Sequence, residues 1–227
     1  MATSGTATFN LDIHELCEEA YERAGTQMRS GYDLRSARRK LNLMASEWAN
    51  RGLNLWTVEE KTITVVAGTQ TYTLPADTVD IIEAALRITS ATGVPTDYNI
   101  ERMGVGTWNA LTNKTQTGRP LQYFVERTIT PSVRIWPSPD AIATYTLVYW
   151  RLRRIQDTGG GGTTQMDIPH RFLPAIIAGL AYYIAMGKPD LMQRVPFLKQ
   201  EYESQFQLAY EEDRDRSSLI ISPMDLN

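Results

Sequence analysis

The sequence predicts an α+β fold: a helical bundle formed by the N- and C-terminal segments, with a central, mostly antiparallel β insertion. Two observations predict it. Apolar residues recur at a helical spacing near both ends of the chain, and between about residues 59 and 158 the spacing changes to alternation with β-branched and aromatic residues. This divides the chain into helical segments 1–58 and 164–213, a β-rich segment 59–158, a flexible glycine loop 159–163 and an extended C-terminal tail 214–227.

From Asp12 to Ala24 the residues Ile13, Leu16, Cys17, Ala20 and Ala24 share one helical face. Asp12 and Glu15 have capping-box spacing, and Gly25 stops the helix. A second helix is expected after Asp33 as N-cap. It buries Leu34, Ala37, Leu41, Met44, Ala45 and Trp48 and ends at Gly52 in a left-handed cap. The runs TITVV, AGTQ and TYTL then read as a hairpin closed by Pro75.

Val79–Ile88 reads as a further strand, and 101–113, interrupted by Gly104 and Gly106, as at best a short helix held by Trp108 and Leu111. Strands follow at LQYFVER, SVRIW and ATYTLVYWRLRR. Between the last two, Pro137 and Pro139 cannot lie inside a central strand, because each lacks a backbone donor. RIWPSPD is therefore a corner, with the next strand from about Ile142 and Trp136 as a core or interface anchor.

Gly159–Gly162 separate this region from a return to helix. The run lacks the lysine of a phosphate-binding loop. Asp167 and Pro169 open a buried helix over Phe172–Met186, which Gly187 and Pro189 end. A last helix over Val195–Glu212 carries Leu198, Tyr202, Phe206 and Ala209 on one stripe.

The 23 basic and 26 acidic residues leave a formal charge of -3, which exerts no global attraction on nucleic acid or anionic lipid. No secretory signal is expected, because MATSGTATFN lacks a basic and an apolar region, and no bilayer span, because the most apolar stretch, Phe172–Met186, holds Pro174 and Gly179 and falls short of the ~20 residues needed. One cysteine forbids an internal disulfide, and two histidines leave little for a metal site, so no metal or cofactor is expected. There is no GxSxG elbow; His14 and His170 read as polar residues at helix starts, and Cys17 as a small buried hydrophobe. Carboxylate pairs for glycoside hydrolysis are spatial features that the sequence leaves open.

Charge is one-sided on the first two helices. Glu15, Glu18, Glu19 and Glu22 fall on one face of the first, and Arg35, Arg38 and Arg39 on a face of the second. Either these stripes are solvated or paired within one chain, or the acidic stripe of one subunit meets the basic stripe of the next in a head-to-tail ring. The tail SLIISPMDLN presents Leu219, Ile220, Ile221 and Met224 without a helical stripe. It either docks on its own domain or adds a strand to a neighbour.

Five segments in order, LNLMASEWANRGLNLW (41–56), GTQTYTLP (68–75), GRP (118–120), RIWPSPD (134–140) and DIPHRFLPAIIAGLAYYIA (167–185), carry a resemblance. The chain resembles the head-to-tail adaptor, or tail accessory factor, family of short-tailed bacteriophages over most of its length. The resemblance implies a non-enzymatic virion protein at the head-to-tail junction, assembled in the cytoplasm of the bacterial host. It would form a homo-oligomeric ring, commonly of twelve copies, that docks under the portal protein, extends the DNA channel and carries a tail nozzle or tail fibre protein. DNA would pass through the lumen without specific binding, and no membrane would be involved. The alternative, a peptidoglycan-degrading tail enzyme, follows from such activities in other phage tail parts.

Overall fold

The computed structural model describes residues 3–52, 55–89, 93–159 and 164–213. It is a mixed α+β fold whose contacts divide the chain into two compact units, Met1–Leu55 with Ile155–Asn227, and Trp56–Arg154.

In the first unit, α1 (Ile13–Ala24) starts as its sequence dictates. The Asp12 side chain accepts from the Glu15 N–H at 2.8 Å, and Glu15 reaches back to the Asp12 N–H at 3.1 Å. Gly25 ends the helix at φ 88°, and an added Cβ there would also strike the Arg194 guanidinium, which donates to the Ala24 carbonyl at 3.1 Å. The second helix, α2 (Gly31–Arg51), begins earlier than expected. Ser30, not Asp33, is the N-cap, and Asp33 is the acidic partner three residues on. Its end also differs from the expectation, because Gly52 lies at φ 154° and ψ -168°, away from the left-handed helical region.

A 3-10 turn (His170–Phe172) leads into α4 (Leu173–Met186), and α5 (Val195–Glu212) follows. α4 is buried nearly all round because α1, α2 and α5 all pack on it. Its small residues permit this: a Cβ on Gly179 would come within 2.4 Å of Met44 Sδ and 2.7 Å of the Tyr202 ring. Of the expected α2 core, Ala37, Leu41, Met44, Ala45 and Trp48 are buried, while Leu34 is half-buried. Trp48 donates its indole N–H to the Tyr202 hydroxyl at 2.8 Å and packs against Phe172 and Phe206. The chain flanking the glycine loop is tied down on both sides. Thr158 donates to Asn42 Oδ1 from N at 2.9 Å and Oγ1 at 3.0 Å, and Ile13 donates to the Thr164 carbonyl at 3.0 Å. Of the four glycines only Gly159 is among the described residues.

The second unit holds β1 (Val58–Val65), β2 (Thr71–Thr73), β3 (Thr78–Thr89), β4 (Pro95–Asn99) and β5 (Glu101–Met103). After α3 (Val105–Ala110) come β6 (Thr117–Gly118), β7 (Gln122–Glu126), β8 (Ser132–Trp136), β9 (Ser138–Pro139) and β10 (Thr144–Arg153). One antiparallel sheet has the order β1-β10-β3-β4, and a second has the order β2-β8-β7-β5. Pairing is mostly antiparallel, the exceptions being β5 with β7 and β6 with β9. Leu86, Leu147 and Tyr149 of the first sheet and Tyr123, Val133 and Ile135 of the second meet in one core.

The expected hairpin does not form. Its turn exists, with the Thr69 N–H on the Val66 carbonyl and the Tyr72 hydroxyl accepting from the Val66 N–H. Its two strands, however, enter different sheets, β1 on β10 and β2 on β8. The long β10 offers β1 an eight-residue ladder that the three-residue β2 cannot match. The 101–113 segment opens as a strand before its short helix, with Trp108 buried and Leu111 half-buried at the cap. The RIWPSPD corner holds a cis Trp136–Pro137 bond, and Ser138–Pro139 form only a short bridge to Thr117–Gly118. Trp136 is half-buried, its indole N–H donating to the Asn113 carbonyl at 3.0 Å. β10 starts at Thr144 rather than Ile142, which is 88% exposed.

Candidate subunit interface

The acidic stripe on α1 lines a groove of about 480 Å³. Glu15, Glu18, Glu19 and Glu22 form its rim with Arg23, and Phe9, Leu11, Leu173, Pro174 and Ile177 supply its apolar walls. The helical period dictates the rim, because the four glutamates lie opposite the buried Ile13, Leu16, Cys17, Ala20 and Ala24. Contact between α1 and α4 brings the first turn of α4 to the same place. Phe9, in the extended segment before α1, is 76% exposed.

Local partners engage part of this rim. Glu15 serves the helix cap, Glu18 lies 3.4 Å from His14 Nδ1, and Glu19 lies 3.5 Å from Arg23, which also reaches Glu201 on α5 at 3.3 Å. Glu22 makes no ion pair among the described residues. Exposed pairs of this kind hold their partners weakly, so the rim keeps a net negative character.

The basic residues of α2 divide between two environments. Arg35 and Arg39 are exposed, and neither forms an ion pair among the described residues. Arg38 is half-buried and close enough to Cys17 for its charge to oppose the rise of the thiol pKa. Burial nevertheless pushes the Cys17 thiol up to about 12, which agrees with a buried apolar role. Two side chains that sequence reasoning passed over flank the exposed arginines: Tyr32 is 66% exposed and Leu43 is 58% exposed. With Arg35 and Arg39 they follow the helical spacing of one outward stripe, a signal present in the sequence as apolar residues on the polar face.

His14 and His170 are both exposed. Among the described residues no group of three or more His, Cys, Asp or Glu side chains is placed to hold a metal ion, and no helix is long and apolar enough to cross a membrane. Leu219, Ile220, Ile221 and Met224 lie outside the described residues.

The model of the SU10 adaptor protein family matches residues 15–225, a span that takes in both compact units. The chain belongs to the SU10 adaptor protein family. This is a family of phage head-to-tail adaptors, and the protein is a phage structural adaptor that associates with other virion components. No curated protein matches the chain. In an adaptor, the features that matter are surfaces, and the α1/α4 groove and the outward stripe of α2 are two such surfaces on the helical unit.

Proposed function

We propose that copies of this adaptor close into a ring, of twelve in the family pattern, that docks under the portal protein, extends the DNA channel and carries the tail nozzle or a tail fibre protein. The family match across both units carries this reading. The distribution of charge supports it. Glu15, Glu18, Glu19 and Glu22 on one side and Arg35 and Arg39 on another offer complementary surfaces that share no residue. Such a pair favours a heterologous contact, which closes into a ring when the rotation between copies divides a full turn. In this reading Arg38, half-buried on α2, joins the same contact. The tail residues Leu219, Ile220, Ile221 and Met224 supply an apolar segment for the portal or a neighbouring copy.

The protein acts through its shape and its contacts rather than through a reaction. Its formal charge of -3 suits a channel wall: carboxylates facing the lumen repel phosphates and let DNA slide, whereas a basic wall would hold it through counterion release. Mass measurement of the chain alone and mixed with its portal tests the reading. A ring in either tube supports it, and a monomer in both sinks it. Salt-sensitive binding of duplex DNA to the assembled ring would overturn the channel assignment.

A further inference from the structure

The α1/α4 groove and the α2 stripe match in more than charge. The groove joins apolar walls to a rim of four carboxylates and one cation, Arg23. The stripe joins two exposed apolar side chains, Tyr32 and Leu43, to the two arginines between them. The twelve residues from Tyr32 to Leu43 span about 16 Å of helix, and the eight from Glu15 to Glu22 span about 10 Å, which Phe9 and Leu11 extend at one end. The neighbouring carboxylates on α2 are engaged elsewhere. Asp33 belongs to the helix cap, and Glu47 is bound by Arg51 and by the Tyr183 hydroxyl at 2.7 Å. The outward stripe therefore carries positive charge without an opposing carboxylate of its own.

Self-association of groove on groove would set four carboxylates against four, and stripe on stripe would set arginine against arginine. Both like-charge pairings are unfavourable, which leaves groove against stripe, and in the proposed ring that contact is head-to-tail. We infer that the Tyr32–Arg35–Arg39–Leu43 face of α2 in one copy seats in the α1/α4 groove of the next, with Leu43 against Pro174 and the arginines on Glu18 and Glu22. This inference rests on the proposed ring and names the contact that closes it. The apolar ends exclude water from the charge pairs, which makes them more than solvated rim contacts.

Two measurements on the full chain, in the conditions that give the wild-type ring, test it. Arg35→Glu with Arg39→Glu should weaken association by about a hundredfold, Glu18→Arg with Glu22→Arg should do the same, and combining all four should restore it. Circular dichroism of each variant checks that the exposed substitutions leave the monomer folded. In the second measurement, a Leu43→Cys and Pro174→Cys double variant is oxidised after assembly. A ladder of disulfide-linked multiples, missing from either single variant, is the expected result; the buried Cys17 stays silent. Wild-type rings accompanied by unaffected charge variants and no ladder would overturn the groove assignment while leaving the ring intact. A wild-type chain that stays monomeric with and without portal would overturn the ring, and this inference with it.

Discussion

Two sets of charges in this adaptor, one in each unit, are held in opposite ways. In the β unit, Arg151 is only 4% exposed, and it is bound on several sides. Its guanidinium meets Glu59, donates to Asp77 Oδ1 at 2.6 Å and to Thr78 Oγ1 at 2.7 Å, and so ties β1 and the start of β3 to β10. In the helical unit the arginines at 35 and 39 and the glutamates at 15, 18, 19 and 22 stand on outward helix faces. The difference teaches what each set is for. A buried, fully bonded charge holds its own unit together, whereas exposed stripes with few, local pairs remain accessible to another molecule, as in the proposed contact.

The largest expected effect comes from breaking the internal cluster. Arg151→Ala leaves Asp77 without its paired cation and Glu59 with only Lys61, 3.7 Å away, and because both carboxylates keep some access to water the loss should be about 3 kcal/mol, at the low end for a broken buried pair, read from denaturant unfolding. A cost near zero would erase the contrast between the units. Next, Gly179→Ala puts a methyl group against Met44 and Tyr202, and overpacking should outweigh the gain in helix propensity by about 2 kcal/mol, seen as a lowered melting temperature. Ser30→Ala should cost about 1 kcal/mol by removing the cap that starts α2.

Acid should act on both units with the same sign. The hydrogen bond from Arg151 holds the Asp77 carboxyl below its ordinary range, and the hydrogen bond from Arg51 does the same for Glu203 in the helical unit. A carboxyl whose folded pKa is depressed adds stability above its unfolded value, about 4, and loses it as pH falls through the folded value. Melting temperature should therefore drop on acidification below about pH 4, and Arg151→Ala should flatten the part of that drop due to Asp77. The smallest effect sharpens the comparison most. Arg35→Ala and Arg39→Ala should leave the melting temperature of the monomer unchanged while weakening assembly.

Much of the helical unit was legible because its signals are local. Asp12 with Glu15, Gly25 and the Leu198–Tyr202–Phe206–Ala209 stripe each act within one or two turns, and the structure places α1 and α5 where they indicate. The start of α2 was misread because Asp33 is a good cap in isolation, and only the backbone shows that it serves Ser30. The strands were legible as strands, but their partners were not. TITVV and TYTL carry the spacing and turn of a hairpin, yet β10, far along the chain, competes for the first of them and wins with a longer ladder. Strand β4, with every residue exposed, has no alternation to announce it.

The same division holds for the candidate interface. The glutamates of α1 and arginines of α2 could be placed on helix faces from their spacing alone, since helical periodicity depends on neighbours three and four residues away. The groove needed Leu173, Pro174 and Ile177 to arrive from the far end of the chain, and Arg38 could be separated from Arg35 and Arg39 only once α1 lay beside α2. Amino-acid order settles which residues share a helix face and where a strand must break. Which surfaces come together, and which charges stay outside, depends on packing between residues distant in the chain, and that competition is decided only in three dimensions.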